Sequence, residues 1–145
     1  MRIMGLDVGS NTIGVAVSDE MGWTAQGLTT IRRSSIESDL KTIEEYVKTY
    51  NVTKMVIGLP INMDGTIGKR AQSVLEFVKT LKKKLSIPVT TWDERLSTIA
   101  VTKVLLEADV SRKKRKRVVD KLAATYILQG YLDSEKGVNQ TDGHI

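Results

Sequence analysis

The first nineteen residues constrain the fold more tightly than any other stretch of this chain. Two apolar runs, one holding Ile3, Met4 and Leu6 and the other spanning 13–17, are separated by Gly9, Ser10, Asn11 and Thr12. The pattern predicts two strands joined as a hairpin, with the turn over 9–12. The first run carries one carboxylate, Asp7. A charge inside a core strand is costly unless something pairs with it, and a bound cation is a common remedy. Gly9 has no side chain, so a phosphate or a metal can approach the backbone beside Asp7. The hairpin is a candidate metal- or phosphate-binding element.

Downstream, two periodicities alternate. Residues 27–32 read as a third strand, with Leu28 and Ile31 flanking threonines. Ile36, Leu40, Ile43, Val47 and Tyr50 recur at helical spacing. A β-branched run over 54–59 reads as a buried strand ended by Gly58 and Pro60. Ala71, Val74, Leu75, Val78, Leu81 and Leu85 mark a second helix, and 87–92 another strand entered at Pro88. Val101, Val104, Leu105 and Ala108 predict a third helix; Val119, Leu122, Ala123, Tyr126 and Ile127 predict a fourth. Three strands followed by alternating helices and strands imply an α/β fold, a mixed sheet sandwiched by helices.

At 145 residues the chain is long enough to bury one sizeable core. One domain is expected over 1–137, with 138–145 too poor in apolar residues to pack. No apolar stretch approaches the roughly 20 residues of a membrane span, and the N-terminus has no signal-peptide layout. The absence of cysteine rules out disulfides and thiolate metal sites and fits a reducing, cytoplasmic location. The net charge of +5 favours a polyanionic partner, an ordinary basic protein being the bland alternative. Clustering favours the first: Ser111 precedes six consecutive cations over 112–117. Such a block at a helix N-terminus opposes the helix dipole and repels itself, so stability does not explain it, whereas a nucleic-acid backbone does. A solvated charged face is the alternative.

In mixed sheets of this kind, ligands gather beyond the carboxyl ends of strands where the order reverses. Asp93 and Glu94 follow the last strand there. They should point in different directions, so that one, Asp93 by preference, caps the next helix while the other faces the strand ends. Asp120 shares a helix face with Ala123, Ala124 and Ile127, at the edge of the core; its bland alternative is a surface ion pair with Lys116 or Arg117. The loop over 58–70 leaves a strand at its carboxyl end, and Lys69 and Arg70 open the next helix within reach of phosphate oxygens. Asp64-Gly65 reads as a turn, and Asp19 as the residue that closes the second strand.

Taken together, these segments resemble a known family. Gly5-Leu6-Asp7-Val8-Gly9 with Ile13-Gly14-Val15-Ala16, Val56-Ile57-Gly58-Leu59-Pro60 with Asn62-Met63-Asp64-Gly65, Trp92-Asp93-Glu94-Arg95-Leu96-Ser97-Thr98, the basic run, and Asp120-Lys121-Leu122-Ala123-Ala124 with 127–132 fall in the order and spacing of the YqgF (RuvX-like) family of RNase H-like nucleases. The resemblance covers nearly the whole chain. It implies an RNase H-like fold, a mixed five-stranded sheet (three antiparallel strands, then two parallel) with helices on both faces. It also implies a metal-dependent nuclease site whose acidic positions fall on Asp7, Glu94 and Asp120. The precursor of small-subunit ribosomal RNA is the substrate it points to, with a four-way DNA junction second. Similar sequences usually carry a lysine or arginine at position 11 or 12, where this chain has Asn11 and Thr12.

The residue inventory agrees with that chemistry. With no cysteine and only His144, near the C-terminus, imidazole and thiolate catalysis are disfavoured. Clustered carboxylates suit Mg²⁺ or Mn²⁺, and two such ions could hold the attacking and leaving oxygens of a phosphodiester hydrolysis. Asp7, Glu94 and Asp120 are then the catalytic and metal-binding residues. Lys69, Arg70, Arg112, Lys113, Lys114, Arg115 and Lys116 bind substrate. The protein acts as a monomer or a homodimer. Two other classes remain open: a non-catalytic nucleic-acid-binding module, and a fragment of an actin-like ATPase, whose phosphate-binding hairpin the Asp7-x-Gly9 pattern also resembles.

Overall fold

The computed structural model describes residues 1–96 and 122–136. Five strands form one mixed sheet in the spatial order β3-β2-β1-β4-β5: β1 (Arg2–Val8), β2 (Thr12–Ser18), β3 (Ala25–Arg32), β4 (Val52–Leu59) and β5 (Val89–Asp93). The first three are antiparallel neighbours; β4 runs parallel to β1, and β5 parallel to β4. Between the strands lie α1 (Ile36–Thr49) and α2 (Lys69–Lys84), and a third helix, α3, spans 122–136. The architecture is the α/β arrangement expected from the sequence, with helices on both faces.

Alternation along the strands divides the core into two. Met4, Leu6 and Val8 of β1, Ile13 and Val15 of β2 and Met55, Ile57 and Leu59 of β4 pack with Leu40 and Ile43 of α1 and Val74, Phe77, Val78 and Leu81 of α2. On the opposite face, Ala16 and Val56 meet Ala123, Ala124, Ile127, Leu128, Tyr131 and Leu132 of α3. The alanines let α3 lie close to the sheet. A Cβ built on Gly5 would come within 2.7 Å of Leu128 Cβ, so only glycine fits beneath the helix there.

Local chemistry explains the ends of the elements. Ser35 caps α1, its Oγ accepting from the Ser38 amide at 3.1 Å, with Glu37 and Asp39 in the first turn favouring the positive end of the dipole. Asn51 leaves α1 at φ 53°, a left-handed position that asparagine tolerates. The β2–β3 connection is closed by Asp19, whose Oδ1 accepts from the Trp23 and Thr24 amides, as its place after the second strand suggested.

Several boundaries differ from expectation. β3 starts two residues earlier and β4 begins at Val52, because both pair with neighbours whose register extends past the apolar run. Gly58 does not end β4 but continues it to Leu59, since pairing with β5 holds the backbone extended. The fourth predicted helix continues past Ile127 to residue 136, because Leu128, Tyr131 and Leu132 prolong its buried stripe. The predicted helix over 101–108, the start of the fourth, and the weakly apolar tail over 138–145 with His144 lie outside the described residues. Among the described residues no helix is long and apolar enough to cross a membrane.

Candidate active site

Asp7 is 4% exposed and sits one residue from the carboxyl end of β1, the central strand of the sheet. Since Met4, Leu6 and Val8 face α1 and α2, Asp7 faces the side covered by α3. Glycines surround it. Its cross-strand partner on β2 is Gly14, and the β1–β4 register, continued one step beyond Leu6 opposite Ile57, brings Gly58 to its other side. Neither neighbouring strand places a side chain directly beside the carboxylate.

Glu94 reaches the same ground from β5. Trp92 packs on the α3 face, so two residues later Glu94 returns to that face, at the start of the 3-10 turn Glu94–Leu96. A Cβ on Gly58 would lie 2.8 Å from Glu94 Oε1 and 2.3 Å from Ile127 Cδ1. Gly58 therefore makes room for Glu94 to lie across β4, the one strand between β5 and β1. Two carboxylates that start on strands two places apart are directed over the same glycine floor.

Asp93 points elsewhere, as its position next to Glu94 predicted. Its Oδ1 accepts from the Arg95 amide at 2.9 Å, and both carboxylate oxygens receive the Arg95 guanidinium, at 2.8 to 3.1 Å. Those bonds from Arg95 hold the Asp93 carboxyl below its ordinary pKa, and Asp93 in turn raises that of Arg95. The clamp fixes the turn that carries Glu94. Arg95 Nη1 also approaches the Asn62 carbonyl, linking this turn to the loop after β4. Within that loop Asp64 Oδ1 accepts from the amide and hydroxyl of Thr66, and Gly65 takes φ 90°, so Asp64-Gly65 is a turn.

Lys69 and Arg70 open α2, whose first turn contains no acidic residue. They line a cleft of about 440 Å³ beside the β1–β2 turn, on the side of Val8 and Val74; neither Asp7 nor Glu94 lines it. Asp7 and Glu94 thus lie on one face of the sheet, each beside the Gly58 position, and Lys69 and Arg70 lie at the same end of the sheet beyond the hairpin. Asp120 and the cations Arg112, Lys113, Lys114, Arg115 and Lys116 lie outside the described residues. Among the described residues no three carboxylate, histidine or cysteine side chains gather as a metal site. The donors present, two carboxylates over a glycine floor, are nevertheless hard oxygen ligands of the kind that hold Mg²⁺ or Mn²⁺.

One residue that sequence reasoning passed over contributes here. Arg33, just past β3, donates from Nη1 to the Gly9 carbonyl at 2.8 Å and from Nε to the buried Asp39 carboxylate at 3.3 Å. The Arg-Arg pair at 32–33 was the available signal, but its link to the hairpin turn depends on β2–β3 pairing, which carries on through the Arg33 amide to the Asn11 carbonyl at 2.9 Å. Trp92 packs edge-on against Tyr131, and its buried Nε1 meets no acceptor among the described residues.

Comparison with known proteins gives a consistent picture. The family model described as "RuvX: Holliday junction resolvase" matches residues 1–134. A protein of Desulforamulus reducens named "Putative pre-16S rRNA nuclease" is 57% identical over 134 residues, 92% of this chain and 98% of its own. One of Heliobacterium modesticaldum with the same name is 61% identical over 135 residues, covering 93% and 91%. Among solved structures, the RuvC resolvase of T. thermophilus in complex with a Holliday junction substrate superposes with a TM-score of 0.58 at 13% identity, over 94% of this chain and 97% of that one. The Fowlpox virus resolvase, complexed with Holliday junction DNA, gives 0.54 at 12% identity over 92% and 98%. At such identities the structural likeness speaks to the fold, which it shows to be RNase H-like.

Proposed function

The chain belongs to the RuvX family, and from that premise we propose that it is a metal-dependent endonuclease that hydrolyses phosphodiester bonds, acting on the 5′ end of pre-16S rRNA during ribosome biogenesis in the cytoplasm. The observation that carries this reading is the pair of carboxylates: Asp7 buried in the central strand with glycine on both neighbouring strands, and Glu94 laid over one of those glycines. Close packing of Ile127 accounts for part of the need for glycine at position 58, and the approach of Glu94 Oε1 to the same point brings a second carboxylate toward Asp7.

Asp7, Glu94 and Asp120 are the residues that would hold Mg²⁺ or Mn²⁺ in a two-ion site. When bound, such ions neutralise charge on the attacked phosphate and make water a nucleophile at neutral pH. The chain's own contribution is to fix the donors. Strand pairing holds Asp7, and the Asp93–Arg95 clamp sets the turn that aims Glu94. Lys69, Arg70 and the cations over 112–116 supply backbone contacts that orient the strand to be cut.

The substrate assignment draws on the names of the curated relatives. A Holliday junction is the second reading, favoured by the family's description and by the resolvase-like fold; it would require a symmetric dimer to cut two strands. The test is cleavage of a pre-16S rRNA fragment and of a synthetic four-way junction, side by side, with Mg²⁺, Mn²⁺ or EDTA. Metal-dependent cleavage of the RNA that disappears in Asp7→Asn supports the proposal. Junction cleavage alone transfers the assignment to DNA, and activity retained by Asp7→Asn refutes the site.

A further inference from the structure

We propose that the cleft on the far side of the β1–β2 turn is a phosphate cradle, seating a backbone phosphate that flanks the cleaved one, so that the bound strand crosses the hairpin tip and touches both faces of the sheet. The inference rests on the nuclease reading for its occupant, but on its own residues for the site. Ser10, Asn11 and Thr12 of the turn form one wall, and Arg33, Lys69 and Arg70 contribute three cations from two other segments; among the described residues none that lines the cleft is acidic.

Arg33 is the built part of this cleft. Its guanidinium is fixed three ways, by Asp39 through Nε, by the Gly9 carbonyl through Nη1, and by stacking 5.2 Å from the centre of the Phe77 ring. Nη2 meets no acceptor among the described residues. Asp39 is 3% exposed and also accepts from the Ser34 amide at 3.1 Å, so the anchor itself is held. A buried ion pair is a poor way to gain stability, because desolvation offsets most of its attraction. What such a pair does well is present an arginine at low entropic cost, with its planar fork matched to phosphate oxygens.

Lys69 and Arg70 complete the charge. Both are exposed, neither has an ion-pair partner among the described residues, and Gly68 caps α2 with no side-chain acceptor. Val8, the residue next to Asp7 and so on the opposite face of β1, lines the cleft, which puts the cleft and the carboxylate on the two sides of one strand end. A single strand cut beside Asp7 therefore has a neighbouring phosphate within reach of the cleft, passing over Gly9 and the exposed Ser10 and Asn11.

The test is binding by the full chain in EDTA, which needs no catalysis. The probe is a fluorescein-labelled single-stranded RNA of about 20 nucleotides, titrated at several salt concentrations. The double variant Lys69→Gln/Arg70→Gln alters only exposed side chains, and Arg33→Ala removes the anchored fork. A charged hydrogen bond of about 1.5 kcal/mol or more predicts roughly tenfold weaker binding for each. The slope of log affinity against log salt should fall by about 0.7 for each cation removed. AMP and inorganic phosphate, added as competitors, should displace the RNA only at concentrations orders of magnitude above its dissociation constant. Wild-type affinity and slope in the double variant would overturn the cradle even if Arg33→Ala failed to fold. Displacement by AMP at concentrations near that dissociation constant would also overturn it, making the cleft a nucleotide pocket. Cleavage assays run in parallel keep the two proposals apart. Normal metal-dependent cleavage with unaltered variant binding removes the cradle alone, whereas weakened variant binding in a protein that cleaves nothing removes the nuclease reading alone.

Discussion

The two faces of β1 are built from opposite materials. Toward α1 and α2 it presents Met4, Leu6 and Val8, all buried in an aliphatic core shared with β2 and β4. Toward α3 it presents Gly5 and Asp7, with Gly14 and Gly58 alongside. Large branched side chains bury area and fill volume, and a full set of them on one face can stabilise the whole sheet. The other face is then free to hold a carboxylate and to leave space around it. One strand thus divides its work, with stability on the even-numbered residues and chemistry on the odd.

The largest effect that would sharpen this division is on activity. Asp7→Asn keeps size and shape and removes the charge. We expect cleavage to fall on the order of a thousandfold or more, with far-ultraviolet circular dichroism unchanged. Leu6→Ala, one residue away, should do the reverse. Cavity formation at a fully buried leucine costs about 3 kcal/mol, measurable by urea unfolding. Below the transition the variant should cleave at nearly the wild-type rate. Loss of activity in folded Leu6→Ala would break the division.

Gly58→Ala should trespass on both functions. The added methyl meets Ile127 Cδ1 and Glu94 Oε1, so overpacking should cost about 1–3 kcal/mol. Because Glu94 must move, cleavage should fall by more than stability alone explains. Trp92→Phe should have a smaller effect, since the indole Nε1 lacks an acceptor among the described residues. Stability should stay within about 1 kcal/mol of wild type. A loss several times larger in chemical unfolding would show that the N–H is satisfied.

The smallest effect concerns pH. Arg95 holds the folded pKa of Asp93 below the ordinary 3.8, so its stabilising contribution is present above that value and is lost as pH falls through the depressed one. The stability difference between wild type and Asp93→Asn should therefore be constant near neutrality and vanish in strong acid. A difference that grew on acidification would reverse the sign of this assignment.

Much of this architecture was legible because the signals are local. Alternating β-branched runs marked the strands, and Asp7 stood out as the one charge in an apolar run. The split between Asp93 and Glu94 followed from adjacency, since neighbouring residues leave a strand in different directions. What could not be read depends on pairing between distant segments. Gly58 looked like a strand terminator before a proline. Only the register with β1 and β5 reveals it as the floor between Asp7 and Glu94. No local signal tied Arg33 to the hairpin turn, and it takes the β2–β3 ladder to bring it against Gly9.

A thermal-unfolding titration tests Asp7 as a metal ligand directly and without substrate. Increasing Mn²⁺ should raise the Tm of the wild-type chain and of Leu6→Ala by similar amounts, because an ion that binds only the folded state stabilises it by mass action. In Asp7→Asn the Tm should not respond. A metal-dependent rise that survives in Asp7→Asn would contradict the central claim, leaving the buried carboxylate without the role the glycines around it suggest.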